Sequence, residues 1–322
     1  MLLKLVEYHW AEDIDDVLLL LGRLDVKTVP LAGGTHLLSL QDETIEAVVD
    51  LRDLGLAYIS EDRQGLHIGA MTTLQQLADE PLLKEFASGL LARSALLSSS
   101  SHLIRNGATL GGTLGAGIAA QADLLTVLAA LDAEVVVRSG SKTQLDLSGG
   151  TLQRPGLPLA GVIFKGKQER RIASTSLQLE RRPSELIIEV IIPHPSVASG
   201  ASFQRVARTP NDVALLNAAA IVETQNGLYS RVRLAFGGRG MEPVRMPVVE
   251  RQLEGQPVIQ PFNNTALIAA LQAGMVNFRP ASDLLVSGSY RRVSAMSVGY
   301  RALEEAMTIA SWRSMLASEK GV

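Results

Sequence analysis

Two short runs of this chain carry the residue types that grip an anion. The first is Ala32-Gly33-Gly34-Thr35-His36-Leu37, directly after the apolar "VKTVP". The second is Thr109-Leu110-Gly111-Gly112-Thr113, inside "IRNGATLGGTL". A turn needs one glycine. Two together leave backbone N–H groups free of side-chain cover, so that an anion can approach them. The hydroxyls of Thr35, Thr109 and Thr113 add donors. Gly33 and Gly111 stand 78 residues apart, so the runs belong to different elements. If they converge, they hold a pyrophosphate from two sides, and Asp123 downstream can accept hydrogen bonds from a ribose. Neither run continues into Lys-Ser/Thr and neither reads G-x-G-x-x-G, which excludes the P-loop and the dinucleotide fingerprint. Two tight, capped turns are the alternative reading of the same residues. His36 follows Gly-Gly-Thr, a place that favours ligand contact over an ordinary surface histidine. Arg105, beside Asn106, either orients the second loop or meets the ligand.

Elements must place these runs. "KLVEYH" reads as a short strand, and Ile14, Val17, Leu18, Leu21 and Leu24 recur at helical spacing, predicting an amphipathic helix over 12–24. "VKTVP" and the fully apolar "AVVDL" at 47–51 are strands of a buried sheet. "AYIS" and "LHIGAM" flank "EDRQG" as a hairpin. "TTLQQLAD" and "LLKEFASGLLARSALL" read as helices, and "ADLLTVLAALDAEVVVRS" as a helix running into a strand. Strand and helix thus alternate up to about residue 165, which is α/β. Residues 166–185, polar and charged, mark a boundary or loop. After them "LIIEVIIP", "SFQRVAR", "ALLNAAAIVET" and "YSRVRLAFGG" suggest strands with room for one helix, and Met296, Tyr300, Leu303 and Met307 place a helix near the C-terminus.

Composition bounds the function. The 322 residues suggest two domains, and 47% hydrophobic content is enough for sizeable cores. A net charge of −3 without a basic block gives no footprint for nucleic acid or an anionic membrane. No apolar run reaches the roughly 18 residues that span a bilayer, and "MLLKLVEYHW" lacks the features of a signal peptide, so a cytoplasmic protein is expected. Cysteine is absent, which removes disulfides, thiolate metal sites, protein-held iron–sulfur clusters and a cysteine nucleophile. The histidines do not cluster at metal-ligand spacing, and no metal is expected.

Together with several segments downstream, the two runs resemble the signatures of the flavin-binding, medium subunit of molybdenum hydroxylases, the xanthine dehydrogenase and carbon monoxide dehydrogenase group. "LAGGTHLL" resembles the family's A-G-G-T/H-x-L, and "IRNGATLGGTL…ADLLTVLAALDAEVVV" its I-R-N-x-A-T-I-G-G-N followed by an acid and "ALDAEV". "SELIIEVIIPHP", "FQRVARTPNDVALLNAAAIV", "RVRLAFGGRGMEPVR" and "SGSYRRVSAMSVGYRALEEA" resemble its later segments in family order. The chain departs from the pattern in three places. Thr113 replaces an asparagine, the spacing from Thr109 to Asp123 is one residue longer and lacks the Ser/Pro before the acid, and Gln204 stands where some members have lysine.

The resemblance implies an α/β plus α+β fold: a two-lobed PCMH-type FAD-binding domain over 1–175, with lobes at about 1–60 and 61–170, then a C-terminal α+β domain of the CO dehydrogenase flavoprotein type over 176–322. It implies that Ala32, Gly33, Gly34, Thr35, His36 and Leu37 wrap the FAD pyrophosphate. Thr109, Gly111, Gly112 and Thr113 complete the grip, Asp123 serves the adenosine side, and Ile187 lies near the flavin ring. Gln204 takes the position of a family lysine as a cofactor contact, and Arg105 either orients the second loop or meets the flavin. No catalytic acid or base is assigned. The implied role is electron transfer in a hetero-oligomer. A molybdenum-cofactor large subunit oxidises the substrate, an iron–sulfur small subunit passes the electrons to FAD here, and an external acceptor receives them. Arginines 105, 170, 171 and 208 are candidate anchors for partners. Two other readings stay open on sequence: a free-standing flavin oxidase, and a flavin-free scaffold that keeps the fold.

Overall fold

The computed structural model describes residues 4–120, 122–142, 164–259 and 264–320. A parallel three-stranded sheet comes first. It consists of β1 (Glu7–Trp10), β2 (Thr28–Leu31) and β3 (Ala47–Asp50), in the order β1-β3-β2. β3 is buried along its whole length, as its central place and unbroken apolar sequence require. α1 (Ile14–Leu21) crosses between β1 and β2. Asp13 caps it, its carboxylate accepting from the Asp16 N–H at 2.9 Å, and Gly22 ends it. Leu24, assigned to the helix by spacing, lies beyond that cap and is fully exposed.

The second lobe is an antiparallel sheet beneath a layer of short helices. Its strands are β4 (Ile59–Glu61), β5 (Leu66–Gly69), β6 (Glu134–Lys142), β7 (Phe164–Ala173) and β8 (Leu186–Ile192), in the order β4-β5-β8-β6-β7. The helices are α2 (Leu74–Asp79), α3 (Pro81–Glu85), α4 (Leu90–Leu97), α5 (His102–Gly107), α6 (Leu110–Ala116) and α7 (Asp123–Ala130), with α8 (Leu177–Glu180) between β7 and β8. This topology corrects the boundary at residue 175. β8 hydrogen-bonds to both β5 and β6 in the middle of the sheet, so the first domain continues through Ile192. The charged stretch after residue 165, read as a boundary or loop, contains an edge strand. Its charges are paired along the sheet, with Arg138 on Glu169 and Arg171 on Glu134 at 3.4 Å, a composition that suits an edge. "LLKEFASGLLARSALL" is not one helix. It breaks at Ala87 and Ser88, both with positive φ, and restarts after Gly89 at φ +75°.

The C-terminal domain has a separate antiparallel sheet. β9 (Ser199–Val206), β10 (Leu216–Gln225), β11 (Leu228–Gly238) and β12 (Met241–Arg245) lie in the order β12-β11-β10-β9. α9 (Pro247–Leu253), α10 (Asn264–Met275) and α11 (Gly288–Lys320) cover one face. "NAAAIVET" is strand throughout. Its alanines suit a sheet packed by helices on both faces, where Ala218 and Ala220 meet the α9–α11 core and Ala219 meets the second lobe.

Two interfaces join the three parts. α1 and β3 bury Val17, Leu18, Leu20 and Val49 against Val136, Leu186, Ile188 and Ile191 of the second lobe's sheet. Its helices share a core with the C-terminal sheet, in which Leu124 and Leu128 of α7 cluster with Ala201, Phe203, Ala219, Ile221 and Ala235. Among the described residues no helix is long and apolar enough to cross a membrane.

Candidate functional site: two glycine loops in contact

The first run leaves the C-terminal end of β2, the end at which ligands bind in parallel α/β sheets. Gly34 adopts φ +70°, which favours glycine. The chain then turns, with the Leu38 N–H donating to the Gly34 carbonyl at 2.9 Å. Among the described residues, none of the backbone N–H groups of residues 32–37 donates a hydrogen bond. Six consecutive amides around a left-handed residue are thus left without a protein acceptor among the described residues, the donors an anion-binding nest needs.

The second run meets the first. A Cβ on Gly33 would lie 1.4 Å from the Gly107 carbonyl oxygen, and a Cβ on Gly107 would lie 3.1 Å from the Thr35 methyl. Both positions are glycine because two backbones touch there. Gly107 ends α5, and Thr109 then caps α6. The amides of Leu110 to Thr113 in the second run are engaged within the chain. Leu110 donates to the Thr72 carbonyl at 2.9 Å, Gly111 to the Ala70 carbonyl at 2.8 Å, and Thr113 to the Thr109 carbonyl at 2.9 Å. Gly112 donates to Thr109 Oγ1 at 3.1 Å. Gly111 packs so close to Ala70 that an added Cβ would lie 2.7 Å from its methyl. The free donors therefore stand in the first loop, and the second loop supplies the wall that shapes them.

The remaining candidates separate by position. Arg105 is buried. Its Nε donates to Gln75 Oε1 at 2.8 Å and its Nη1 to the Ser99 carbonyl at 2.6 Å, so it orients the turn before the second loop. Ile187 is buried on β8, in the core that holds Leu110 and Leu114 of α6. Gln204 points to the opposite face of β9 from Phe203, as strand alternation requires. Its amide donates to Glu305 of α11 at 2.6 Å, so the structure brings Gln204 to α11 and not to the loops. Asp123 is 2% exposed at the start of α7. The Asn217 amide donates to its Oδ1 at 2.7 Å, and Arg205 Nε sits 3.1 Å from its Oδ2 in an ion pair without an aligned hydrogen bond. Burial pushes this carboxyl upward from its ordinary value, and the Arg205 charge and the Asn217 bond pull it back.

Sequence reasoning missed Gly107, Arg205 and Asn217. Gly107 was visible in "RNGATLGG" as a third small residue before the pair, but only the contact with Gly33 gives it a role. Of the candidate partner anchors, Arg105 is buried and the other three are paired within the chain. Arg170 binds Glu185 at 2.9 Å, Arg171 binds Glu134 at 3.4 Å, and Arg208 lies 3.5 Å from Asp212. An open cavity of about 520 Å³ beside Asn106 is lined by Tyr58, Thr73, Gln76, Asp79 and Glu80. Its carboxylates, Asp79 and Glu80, disfavour a diphosphate, in contrast to the neutral amides of the first loop.

Comparison with known proteins shows the family. Residues 4–195 match the FAD binding domain in molybdopterin dehydrogenase, and residues 201–306 the CO dehydrogenase flavoprotein C-terminal domain. The chain is 29% identical to the 6-hydroxypseudooxynicotine dehydrogenase complex subunit alpha of Paenarthrobacter nicotinovorans, over 94% of each chain. It is 25% identical to the xanthine dehydrogenase FAD-binding subunit of Escherichia coli O157:H7, over 94% of this chain and 96% of that one. Among solved structures, carbon monoxide dehydrogenase from Hydrogenophaga pseudoflava, lacking the Mo-pyranopterin moiety of its molybdenum cofactor, superposes with a TM-score of 0.78. That match covers 95% of this chain and 98% of the other at 24% identity, a likeness of fold. With both of its domains matched in order, this chain belongs to the family of FAD-binding oxidoreductase subunits of the molybdenum hydroxylases.

Proposed function

We propose that the chain is the flavin-carrying link of a multi-subunit dehydrogenase, taking electrons from an iron–sulfur subunit and delivering them to an external acceptor, while a molybdenum-cofactor subunit oxidises the substrate. The observation that carries the reading is the set of free amides from Ala32 to Leu37, walled by Gly107 of the second loop. This donor set fits a diphosphate: it is neutral backbone, and its amides have no protein acceptor among the described residues. When bound, FAD supplies the redox chemistry, accepting electrons and releasing them. The residues of this chain bind and orient. The first-loop amides hold the diphosphate, Gly33 and Gly107 fix how closely the two lobes approach, and Thr109 and Arg105 hold the second loop's shape. Asp123 Oδ2 faces Arg205 Nε at 3.1 Å without an aligned hydrogen bond, so the carboxylate keeps acceptor capacity for a ligand hydroxyl or N–H. No side-chain pair beside the loops is assigned to acid–base work, in keeping with a subunit that relays electrons.

Reduction kinetics test the proposal. The flavin-loaded chain alone should be reduced slowly by any organic substrate of the complex, and rapidly once the other subunits are added. Fast reduction of the isolated chain by an organic substrate would overturn it in favour of a free-standing oxidase. Failure to take up FAD at all would support the scaffold reading.

A further inference from the structure

Asp123 belongs to the first domain, yet both groups that face it come from the second. Arg205 is on β9 and Asn217 on β10. Each is itself fixed. Arg205 donates through Nη1 to the Pro210 carbonyl at 2.8 Å and through Nη2 to the Asp212 carbonyl at 2.5 Å, which aims Nε at Asp123. The Asn217 carbonyl oxygen accepts from Thr126 Oγ1 at 2.8 Å, which leaves its NH₂ for Asp123 Oδ1. Thr126 lies on α7, less than a turn after Asp123, so α7 and β10 are locked in one register. Gly237 confirms the fit, since a Cβ there would lie 2.0 Å from Thr126 Oγ1. A buried carboxylate with one oxygen short of a donor is costly unless a cation stays beside it. Arg205 is the charged group that faces it among the described residues.

We infer that Arg205 and Asn217 are positioning residues for the cofactor site: they hold Asp123 in place as a carboxylate, so that FAD retention in the first domain depends on the docking of the second. The inference rests on the FAD reading above, in which Asp123 serves the adenosine side. It assigns the C-terminal domain a role beyond covering a hydrophobic face. A cofactor hydroxyl or N–H needs an acceptor at Asp123. With Arg205 removed, burial favours the protonated acid, and the acceptor becomes available only at higher pH.

The test is FAD titration of the apo chain by flavin fluorescence from pH 5 to 9. The wild-type chain should bind with little pH dependence. Arg205→Gln should bind about tenfold or more weakly at pH 6 and recover as the pH rises, a change of about one pKa unit or more at Asp123. Asp123→Asn should bind weakly at every pH, and Arg205→Lys should restore most of the affinity at neutral pH. Asn217→Ala should weaken binding without introducing the pH dependence. Arg208→Ala, which removes an exposed pair with Asp212, is the control and should match the wild type. Urea midpoints of the apo proteins show which variants fold. If Arg205→Gln binds as the wild type does, or loses affinity equally at every pH, the inference is overturned while the FAD reading stands. A wild-type chain that takes up no FAD overturns both.

Discussion

At the scale of single residues, the glycines of the two loops look alike in sequence and do different things in space. Gly33 is where one lobe's backbone meets the other's, Gly34 turns the chain, and Gly111 lets α6 seat on Ala70. Gly33→Ala places a methyl inside the Gly107 carbonyl, so the lobes must part. The expected outcome is loss of bound flavin together with about 3 kcal/mol of stability, read from flavin absorbance and a urea midpoint. Gly115→Ala is the contrast. A Cβ there meets nothing within 4 Å, and the residue lies inside α6, so the chain should keep its flavin and gain about 0.5–1 kcal/mol. Equal behaviour of the two variants would remove the steric account of the site. The residue types of the site were therefore legible in the sequence, because two of its three Gly-Gly-Thr runs, unlike Gly149-Gly150-Thr151, sit in segments that resemble the family's signatures. Their division of labour was not, because whether an amide is free depends on an acceptor far along the chain. For Gly111 that acceptor is Ala70.

At the scale of elements, α7 is the piece that the C-terminal domain grips at both ends. Asp123 begins it, and just beyond its last turn Asp132, at φ +52°, receives Arg231, Arg233 and Arg245 from β11 and β12. Arg245 also donates to the Ala129 carbonyl at 3.0 Å, covering the helix's C-terminal end. Hydrogen bonds from Arg233 and Arg231 and the charge of Arg245 outweigh burial and hold the Asp132 carboxyl down at about 2. A depressed carboxylate contributes stability in full above its unfolded value of about 3.9. That contribution fades as the pH falls through the folded value. Urea midpoints should therefore drop between about pH 4 and pH 2, and Asp132→Asn should abolish that part of the slope. The same change should cost about 3 kcal/mol at pH 7, because three arginines lose their shared partner. An unchanged pH profile in the variant would exclude Asp132 as the source. Periodicity alone marked α7 and the strand after it, since an apolar helix running into "EVVV" admits few other readings. It failed where the environment overrides pattern. The room left for one helix among residues 186–238 is not used by the alanines of β10, which lie between two packed faces, and charges read as a boundary or loop form the paired edge strand β7.

At the scale of the whole molecule, the hydrophobic cores do not follow the domain boundary. One cluster runs from Leu66 and Ile68 in the second lobe, through α4 and α7, to Phe203, Ala219, Ile221 and Ala235 in the C-terminal sheet. A core shared in this way couples the unfolding of its two sides, since neither can open without exposing the other's apolar face. The first lobe joins the same unit through α1 and the strand residues it buries. The two tryptophans report from opposite ends, Trp10 on β1 of the first lobe and Trp312 on α11. Single-tryptophan variants, Trp10→Phe and Trp312→Phe, should therefore show coincident urea transitions, although the probes lie in different domains. Adding FAD should move both midpoints by the same amount, because a ligand that binds only the folded state stabilises whatever unfolds with its site. Phe203→Ala sharpens the test. Phe203 is 1% exposed in the shared core, on the opposite face from Gln204. Its truncation should cost about 3–5 kcal/mol and lower both transitions together, with weaker FAD retention as a consequence. If the Trp312 transition fell while the Trp10 transition and the flavin stayed in place, the two domains would be independent units and the shared core a contact without energetic coupling.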